Sequence, residues 1–492
     1  MMEHLPVLLI VVPLMAAPLC VLIRQPTLVM GFALVVIWSC PLMAATLLQR
    51  VLADGTISYA IGGWPAPYGI EYRVDALNAF VLLFVSSLGA AVLSYAPRSI
   101  AREIPQSKHH LFVTSYLLCL TGLMGMTITG DLFNVFVFLE ISSLSSYALI
   151  SLGRHRRALT AAFQYLILGT VGATFILIGI GLLYQMTGTL NMADMAERLR
   201  DVTGVRTVLV AFAFLSVGLA LKMALFPLHL WLPDAYAFAP SAVTAFIAAT
   251  STKVSVYVLL RFVFSVFGVG FAFDTLGLDR ILLPLALVGI FVASTVAIFQ
   301  QNIKRMLAYS SVAQVGYMVL GISFASVNGL TASIVHMFNH ALMKGGLFMA
   351  MGCIAFRLGS VDLDRMRGIG RTMPVTMALW VVGGLGLIGI PVTAGFISKW
   401  YLIMAALEQD RWVVAALVLV SSLLALVYIL RVVEVAYFQE PAEGDAHVTE
   451  APMSLLVPTG LVIGATLFFG LQTSWSAGVA RVAAESLLGL SR

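Results

Sequence analysis

The chain has 492 residues, of which 60% are hydrophobic and only 10% charged, with a mean hydropathy of +0.99 and a formal net charge of +5. That composition excludes a water-soluble multidomain protein, because too little polar surface is available to keep so long a chain in water. The positive balance does not point to nucleic acid, since lysines and arginines sit in short loops between apolar runs, where they act as topology signals, and no basic domain is present to hold a polynucleotide.

Apolar runs of roughly 18 to 25 residues, each long enough to cross a ~30 Å hydrocarbon core, predict an all-α polytopic membrane protein with about fourteen transmembrane helices. The spans fall near 5–23, 28–48, 74–95, 110–129, 131–151, 160–186, 206–236, 240–264, 281–299, 304–324, 329–357, 374–407, 412–438 and 452–472. The first follows Glu3 and His4 rather than a basic stretch, so it is expected to be a span and not a cleaved signal. The seventh and twelfth are too long for uninterrupted helices. Phe226-Pro227 splits one, and Gly389-Ile390-Pro391 with Gly395 splits the other; a proline lacks a backbone donor and clashes with the preceding turn, so Pro227, Pro391 and Gly395 predict helices broken inside the bilayer.

An even number of spans puts both termini on one face. Arg98, Arg102 and Lys108, then Arg154, Arg156 and Arg157, then Lys304 and Arg305, then Arg365, Arg367 and Arg371 fall on the opposite face, which the positive-inside rule makes cytoplasmic. Both termini are then expected on the outer side of a cell inner membrane, although Arg198, Arg200 and Arg206 lie on that side too. A gapless shift of 171 residues lays Thr160-Ala161 on Thr331-Ala332, Gly181 on Gly352, Gly188 on Gly359, Met195 on Met366 and Gly218 on Gly389, and superposes the two interrupted spans. It carries five spans onto five, an odd number, so the second copy is expected to run inverted. Paired discontinuities of this kind point to a transport site.

Five ionisable residues lie inside spans, where each costs roughly 2.5 to 3.5 kcal/mol at the helix centre. They are Glu140 in the fifth span, Lys222 before the first break, Lys253 in the eighth span, Lys344 in the eleventh and Lys399 just after the second break. A carboxylate–lysine pair can simply hold a bundle together, and lysines can snorkel to an interface. Four lysines against one glutamate cannot be neutralised pairwise, so some must be neutral, titrate or face water. Desolvation favours the uncharged form of an amine, which lets such a group load and release a proton.

His336, His340 and Lys344 stand at i, i+4 and i+8, on one helix face with steps of about 6 Å along the axis. Such a stripe reads as a proton relay needing a water or hydroxyl between steps, or else as a polar packing face between helices. The two histidines at i, i+4 suit a metal geometrically, but a third carboxylate or cysteine ligand is missing nearby, and no metal site is expected. Ser142, Ser143, Ser145 and Ser146 gather beside Glu140, and Thr250, Ser251, Thr252 and Ser255 around Lys253, as hydroxyls that either order waters or serve close packing. His229, Trp231 and Asp234 follow the first break as interfacial anchors or as a proton entry, a choice the residues leave open. Cys20, Cys40, Cys119 and Cys353 lie in apolar runs without a CxxC pair and are expected to be packing residues.

GDLFNVFVFLE around Glu140, the K-x4-P-x-H-x-WLPDA pattern from Lys222 to Ala235, NIKRMLAYSSVAQVGY at 302–317, HMFNHALMKG around Lys344 and GIPVTAGFISKW ending beside Lys399 together resemble one family. It is the antiporter-like subunits shared by respiratory complex I, membrane-bound hydrogenases and multi-subunit Mrp cation/proton antiporters, and the resemblance covers essentially the whole chain. It implies fourteen helices with two inverted five-helix repeats, each containing a broken helix. The chain then divides into 1–109 with the first three spans, 110–273 with the fourth to eighth, 274–440 with the ninth to thirteenth, and 441–492 with the last span and a short tail. The resemblance also implies that Glu140 pairs with Lys222 while Lys253, Lys344 and Lys399 continue a hydrated axis.

Within the family the chain looks most like the Mrp D branch. It ends soon after the fourteenth span, it has Lys399 where one complex I subunit carries a carboxylate, and GGWPAPYGIEYRVDALNAF before the third span has the Mrp-like form. The expected function is that of a proton-translocating subunit of a monovalent cation (Na+)/H+ antiporter, working with other membrane subunits in the lipid bilayer. The alternative is a pump module of a complex I-like or hydrogenase-type redox complex. Neither requires this chain to be an enzyme: it has no Rossmann glycine fingerprint, no P-loop and no haem or cluster ligands, so no cofactor is expected.

Overall fold

The structure is a computed structural model that describes residues 2–23, 25–441 and 448–490. Helices α1 (Leu5–Ile23) and α2 (Pro26–Asp54) come first; α2 opens on Pro26, at a position where a missing N–H costs no helical bond. Strands β1 (Ile57–Ala60) and β2 (Glu71–Val74) then pair antiparallel, Ile57 opposite Val74, a hairpin the hydropathy pattern does not announce. It leads into α3 (Ala76–Glu103), whose N-cap Asp75 exchanges hydrogen bonds with Asn78 in a capping box. Next come α4 (His109–Ile128), α5 (Leu132–Ser151), α6 (Arg156–Thr187) and the short α7 (Met192–Leu199). Helices α8 (Arg206–Lys222) and α9 (Leu232–Phe238) are the two parts of the first interrupted span, and α10 (Ser241–Leu260) continues through a π-turn to Val266. The second half runs α11 (Leu278–Ile298), α12 (Ile303–Ser323), α13 (Val327–Leu358), one-turn α14 (Ile369–Thr372), α15 (Pro374–Ile388), α16 (Ala394–Glu408) and α17 (Trp412–Phe438). It closes with α18 (Met453–Leu471) and α19 (Thr473–Leu487), so the expected short tail is itself helical and packs on α13 and α3.

Among the described residues, twelve helices are long and apolar enough to cross a membrane. The other two expected spans are the interrupted pairs α8/α9 and α15/α16. Burial divides the helices into two kinds. α13 is enclosed all round from Gly329 to Ile354 by α3, α10, α12, α15, α16, α18 and α19. By contrast α1, α2, α6, α11, α17 and α18 bury one face and turn apolar side chains such as Leu22, Val35, Leu42 and Leu461 outward. Lipid tails are as apolar as these side chains, so an outer face of this kind is stable in a bilayer and not in water.

Backbone bonds repeat at the offset of 171. Asp131 bridges Asn191, and Asn302 bridges Asp362, with acid and amide exchanged. Leu132 N–H donates to Leu190 C=O at 2.9 Å and Ile303 N–H to Val361 C=O at 3.0 Å, while Met192 to Gly130 and Leu363 to Gln301 are both 2.8 Å. α6 and α13 each have 32 residues, and each ends on a glycine at φ 69°, Gly188 and Gly359. The left-handed conformation is one that glycine adopts without steric cost and that lets the freed carbonyls be capped.

The breaks take different forms. α8 stops at Lys222, and Ala224 turns at φ 58° before a cis Phe226-Pro227 bond. Pro227 offers no N–H to the Met223 carbonyl and its ring would clash there, so the helix cannot extend further. α15 ends at Ile388, capped by Gly389 at φ 86°, with Pro391 and Val392 (φ 78°) in the gap. Gly395 is not part of that gap: it sits in the first turn of α16, where a Cβ would stand 1.9 Å from the Gly386 carbonyl oxygen. Its role is close approach of α16 to α15, which corrects its assignment as a helix breaker.

Candidate proton-transfer site

The seven ionisable positions fall into two groups. The first joins α5 and α8. Lys222, the last residue of α8, is 5% exposed, and its Nζ donates to Ser143 Oγ at 2.8 Å. The implied ion pair with Glu140 is not formed as a contact; the amine is taken by Ser143, one turn further along α5. Glu140 is partly exposed, and one of its carboxylate oxygens is buried without a hydrogen-bond partner.

The second group surrounds α13. Lys253 of α10 and His340 and Lys344 of α13 are fully enclosed, and His336 is 2% exposed. Lys253 Nζ bonds the Ala248 carbonyl and, at 3.3 Å, Thr252 Oγ1. Lys344 Nζ donates to the Leu307 carbonyl at 2.7 Å and to Ser310 Oγ, both on α12. His336 and His340 lie parallel with centroids 6.0 Å apart. His336 Nδ1 meets Ser398 Oγ of α16 at 2.7 Å, whereas neither ring nitrogen of His340 has a partner. Lys399 Nζ takes the Ile388 carbonyl and Ser422 Oγ, each at 2.8 Å, and sits 4.9 Å from the centre of the Tyr317 ring. Tyr317 also meets His336 edge-on and shares a 2.6 Å hydrogen bond with Ser421.

The second break therefore has a direct local use. Ending α15 at Ile388 frees the Leu387 and Ile388 carbonyls, and both accept from Lys399. At the first break the Leu221 carbonyl accepts from the Ala224 N–H at 3.1 Å and also from Trp231 Nε1 at 2.9 Å. Trp231 is 2% exposed, so it is not an interfacial anchor; His229 is 7% exposed with Nδ1 unpartnered, and Asp234 pairs with Arg305 at 3.5 Å.

Half of the eight hydroxyls noted near the charges serve their own helices: Ser142 and Ser146 on α5, and Thr250 and Ser255 on α10, bond carbonyls three or four residues back. Ser143, Thr252, Ser310, Ser398 and Ser422 are the ones that reach an amine or imidazole. The roles of the last three and of Tyr317 cannot be read from the sequence, because the group each meets lies on another helix. Lys304 differs from its sequence assignment as a loop charge: it is 4% exposed and donates to the Ala239 carbonyl at 3.2 Å, at the end of α9, where a cation suits the helix C-terminus. Among the described residues no group of three or more His, Cys, Asp and Glu side chains is arranged to hold a metal.

Residues 129–425 match the family described as NADH:quinone oxidoreductase/Mrp antiporter, transmembrane. The chain is 44% identical over 481 residues to a NADH-quinone oxidoreductase subunit N from Desulforudis audaxviator, covering 94% of this chain and 95% of that protein. It is 30% identical over 490 residues to the D-type subunit of a Na(+)/H(+) antiporter from Bacillus subtilis, covering 99% and 98%. A chain of the membrane-bound sulfane sulfur reductase, an archaeal respiratory membrane complex, superposes with a TM-score of 0.90 at 30% identity over 99% of this chain and 98% of that one. Likeness to a redox-complex subunit is thus at least as great as to the D branch of the antiporters, and the comparisons do not favour the antiporter branch.

Proposed function

The chain belongs to the NADH:quinone oxidoreductase/Mrp antiporter transmembrane family, and from that premise we propose that it moves protons along Glu140, Lys222, Lys253, His336, His340, Lys344 and Lys399. It is an antiporter-like subunit of the kind found in complex I, Mrp and membrane-bound reductase assemblies. The observation that carries the proposal is the enclosed seam of amines and imidazoles around α13, in which Lys253, His336, Lys344 and Lys399 each reach a hydroxyl and Lys399 also takes a carbonyl freed by the end of α15. Buried polar atoms without partners recur along it: both His340 nitrogens, His336 Nε2, Gln314 Oε1 and Asn339 Oδ1. Each such group costs about 1 to 3 kcal/mol when left unsatisfied, which favours a seam that water enters. The membrane potential would supply about 2.3 kcal/mol per charge per 100 mV as driving force.

The repeated bridges and caps at the 171-residue offset support two five-helix repeats; an odd number of spans per repeat makes the second copy inverted, and the bias of Lys and Arg among the loops is what argues for termini on the outer face of an inner membrane. In an antiporter assembly the exchanged cation is Na+ or another monovalent ion. Among the described residues only Glu140 offers a carboxylate midway along an expected span, so the cation path lies partly in another subunit, and sodium-dependent transport by the isolated chain would contradict this. The 44% identity to a subunit N favours the second assembly, in which a redox partner drives the protons. Copurifying quinone-, NADH- or hydrogenase-type subunits would mark that assembly, and their replacement by cation-transport subunits the other. Proton transfer itself is tested by Glu140→Ala and Lys222→Ala in everted vesicles. Loss of driven pH changes with intact assembly is expected, and full activity in both variants would overturn it.

A further inference from the structure

Two adjoining cavities, of about 300 and 400 Å³, lie beside the α8–α9 interruption and share Gln164 and Asp234 as walls. Arg157 and Arg305 make the smaller one polar, and Trp231 forms the inner wall of the larger. Trp231 lies flat on Tyr165, with centroids 3.9 Å apart and planes 2° from parallel, while its indole N–H holds the Leu221 carbonyl next to Lys222. Behind it, Tyr165 meets Tyr147 edge-on at 4.7 Å. The Tyr147 hydroxyl is buried with no partner and lies over Gly169, where a Cβ would stand 1.9 Å from it. Tyr147 is one turn beyond Ser143, which holds the Lys222 amine. From cavity to amine, the order is therefore Trp231, Tyr165, Tyr147, Ser143.

The offset of 171 gives these aromatics a counterpart. Tyr165 corresponds to His336 and Gly169 to His340. In the second half the imidazole of His336 meets a hydroxyl from the helix after the break, Ser398, whereas in the first half the same place is filled by one aromatic face against another. An aromatic stack has no group to pass a proton from face to face.

We propose that Trp231 and Tyr165 are positioning residues forming an aromatic latch, which fixes Lys222 through the Leu221 carbonyl and separates it from the polar cavity at Asp234. Parting the stack connects that cavity to the Lys222 amine and Ser143. What then passes rests on the proton-transfer function proposed above; the latch does not.

The test uses membranes containing the assembled complex. A Ser143→Cys reporter is exposed to ethylammonium methanethiosulfonate, alone and combined with Trp231→Ala, Tyr165→Ala or Trp231→Phe. The same latch variants without the reporter subtract reaction at the four native cysteines. Severalfold faster modification is expected with either alanine, and a rate near that of the reporter alone with Trp231→Phe, which keeps a flat ring. Passive proton leak across everted vesicles should rise with the same two alanine variants. Two independent substitutions keep the test open if one fails to assemble. Equal modification rates in all four backgrounds would overturn the latch. Faster modification without a greater leak would leave the latch standing and count against proton transfer instead.

Discussion

Lys344 and Lys399 can hold a charge or pass a proton, and one substitution separates these roles. Arginine keeps the positive charge but does not deprotonate in proteins. Lys344→Arg is expected to abolish driven pH changes in everted vesicles while assembly persists; retained transport would mean that charge alone suffices there. Lys399 can also be displaced from outside. Gly389 has φ 86°, and a Cβ on it would lie 2.9 Å from the Lys399 side chain. Gly389→Ala should therefore cost about 1 to 2 kcal/mol in backbone strain and move the amine off the Ile388 carbonyl, lowering the transport rate in the same assay. Unchanged transport would show that the bond at 2.8 Å to that carbonyl is dispensable.

At the scale of elements, the approach of helix to helix is set by small residues and by bonds at helix ends. Gly395 brings α16 against the Gly386 carbonyl, a separation no side chain fits, so Gly395→Ala is expected to lower thermal stability by about 1 to 3 kcal/mol through overpacking, read as a lower Tm of the purified complex. The β2–α3 corner is tied by Asp75, which caps α3 and pairs with Arg261 at 2.5 Å at the far end of α10. Burial pushes the Asp75 carboxyl up, but Arg261 and the Asn78 N–H outweigh it and hold the group below its ordinary value of 3.8. A carboxyl lowered on folding contributes stability that is fully present above its unfolded value and lost as pH falls through its folded one. The unmodified chain should therefore lose stability below about pH 4, and Asp75→Asn should be less stable near neutrality and less sensitive to acid. Parallel melting curves of the two from pH 3 to 7 would contradict this.

The whole molecule is a bundle that encloses amines and imidazoles and whose outer helices turn apolar side chains outward. If both termini lie outside, cysteines placed in the β1–β2 hairpin should react with an impermeant reagent in right-side-out vesicles, and cysteines near Arg98 to Lys108 only in everted ones; the reverse pattern would invert the topology. The sequence by itself determined that the chain is a helical membrane protein, where its spans lie, that two of them are broken and that Glu140, four lysines and two histidines sit within them. Hydropathy and proline chemistry act over a few neighbouring residues, so these features can be read locally. Tertiary structure alone decided which groups meet: that Lys222 takes Ser143 and not Glu140, that Ser310, Ser398 and Ser422 hold the amines and imidazole, that Lys304 is buried, and that Trp231 bonds the Leu221 carbonyl at the first break. Those contacts join residues 10 to 79 positions apart, mostly on separate helices, and a side chain's partner across a bundle depends on helix rotation and depth, which no local pattern encodes.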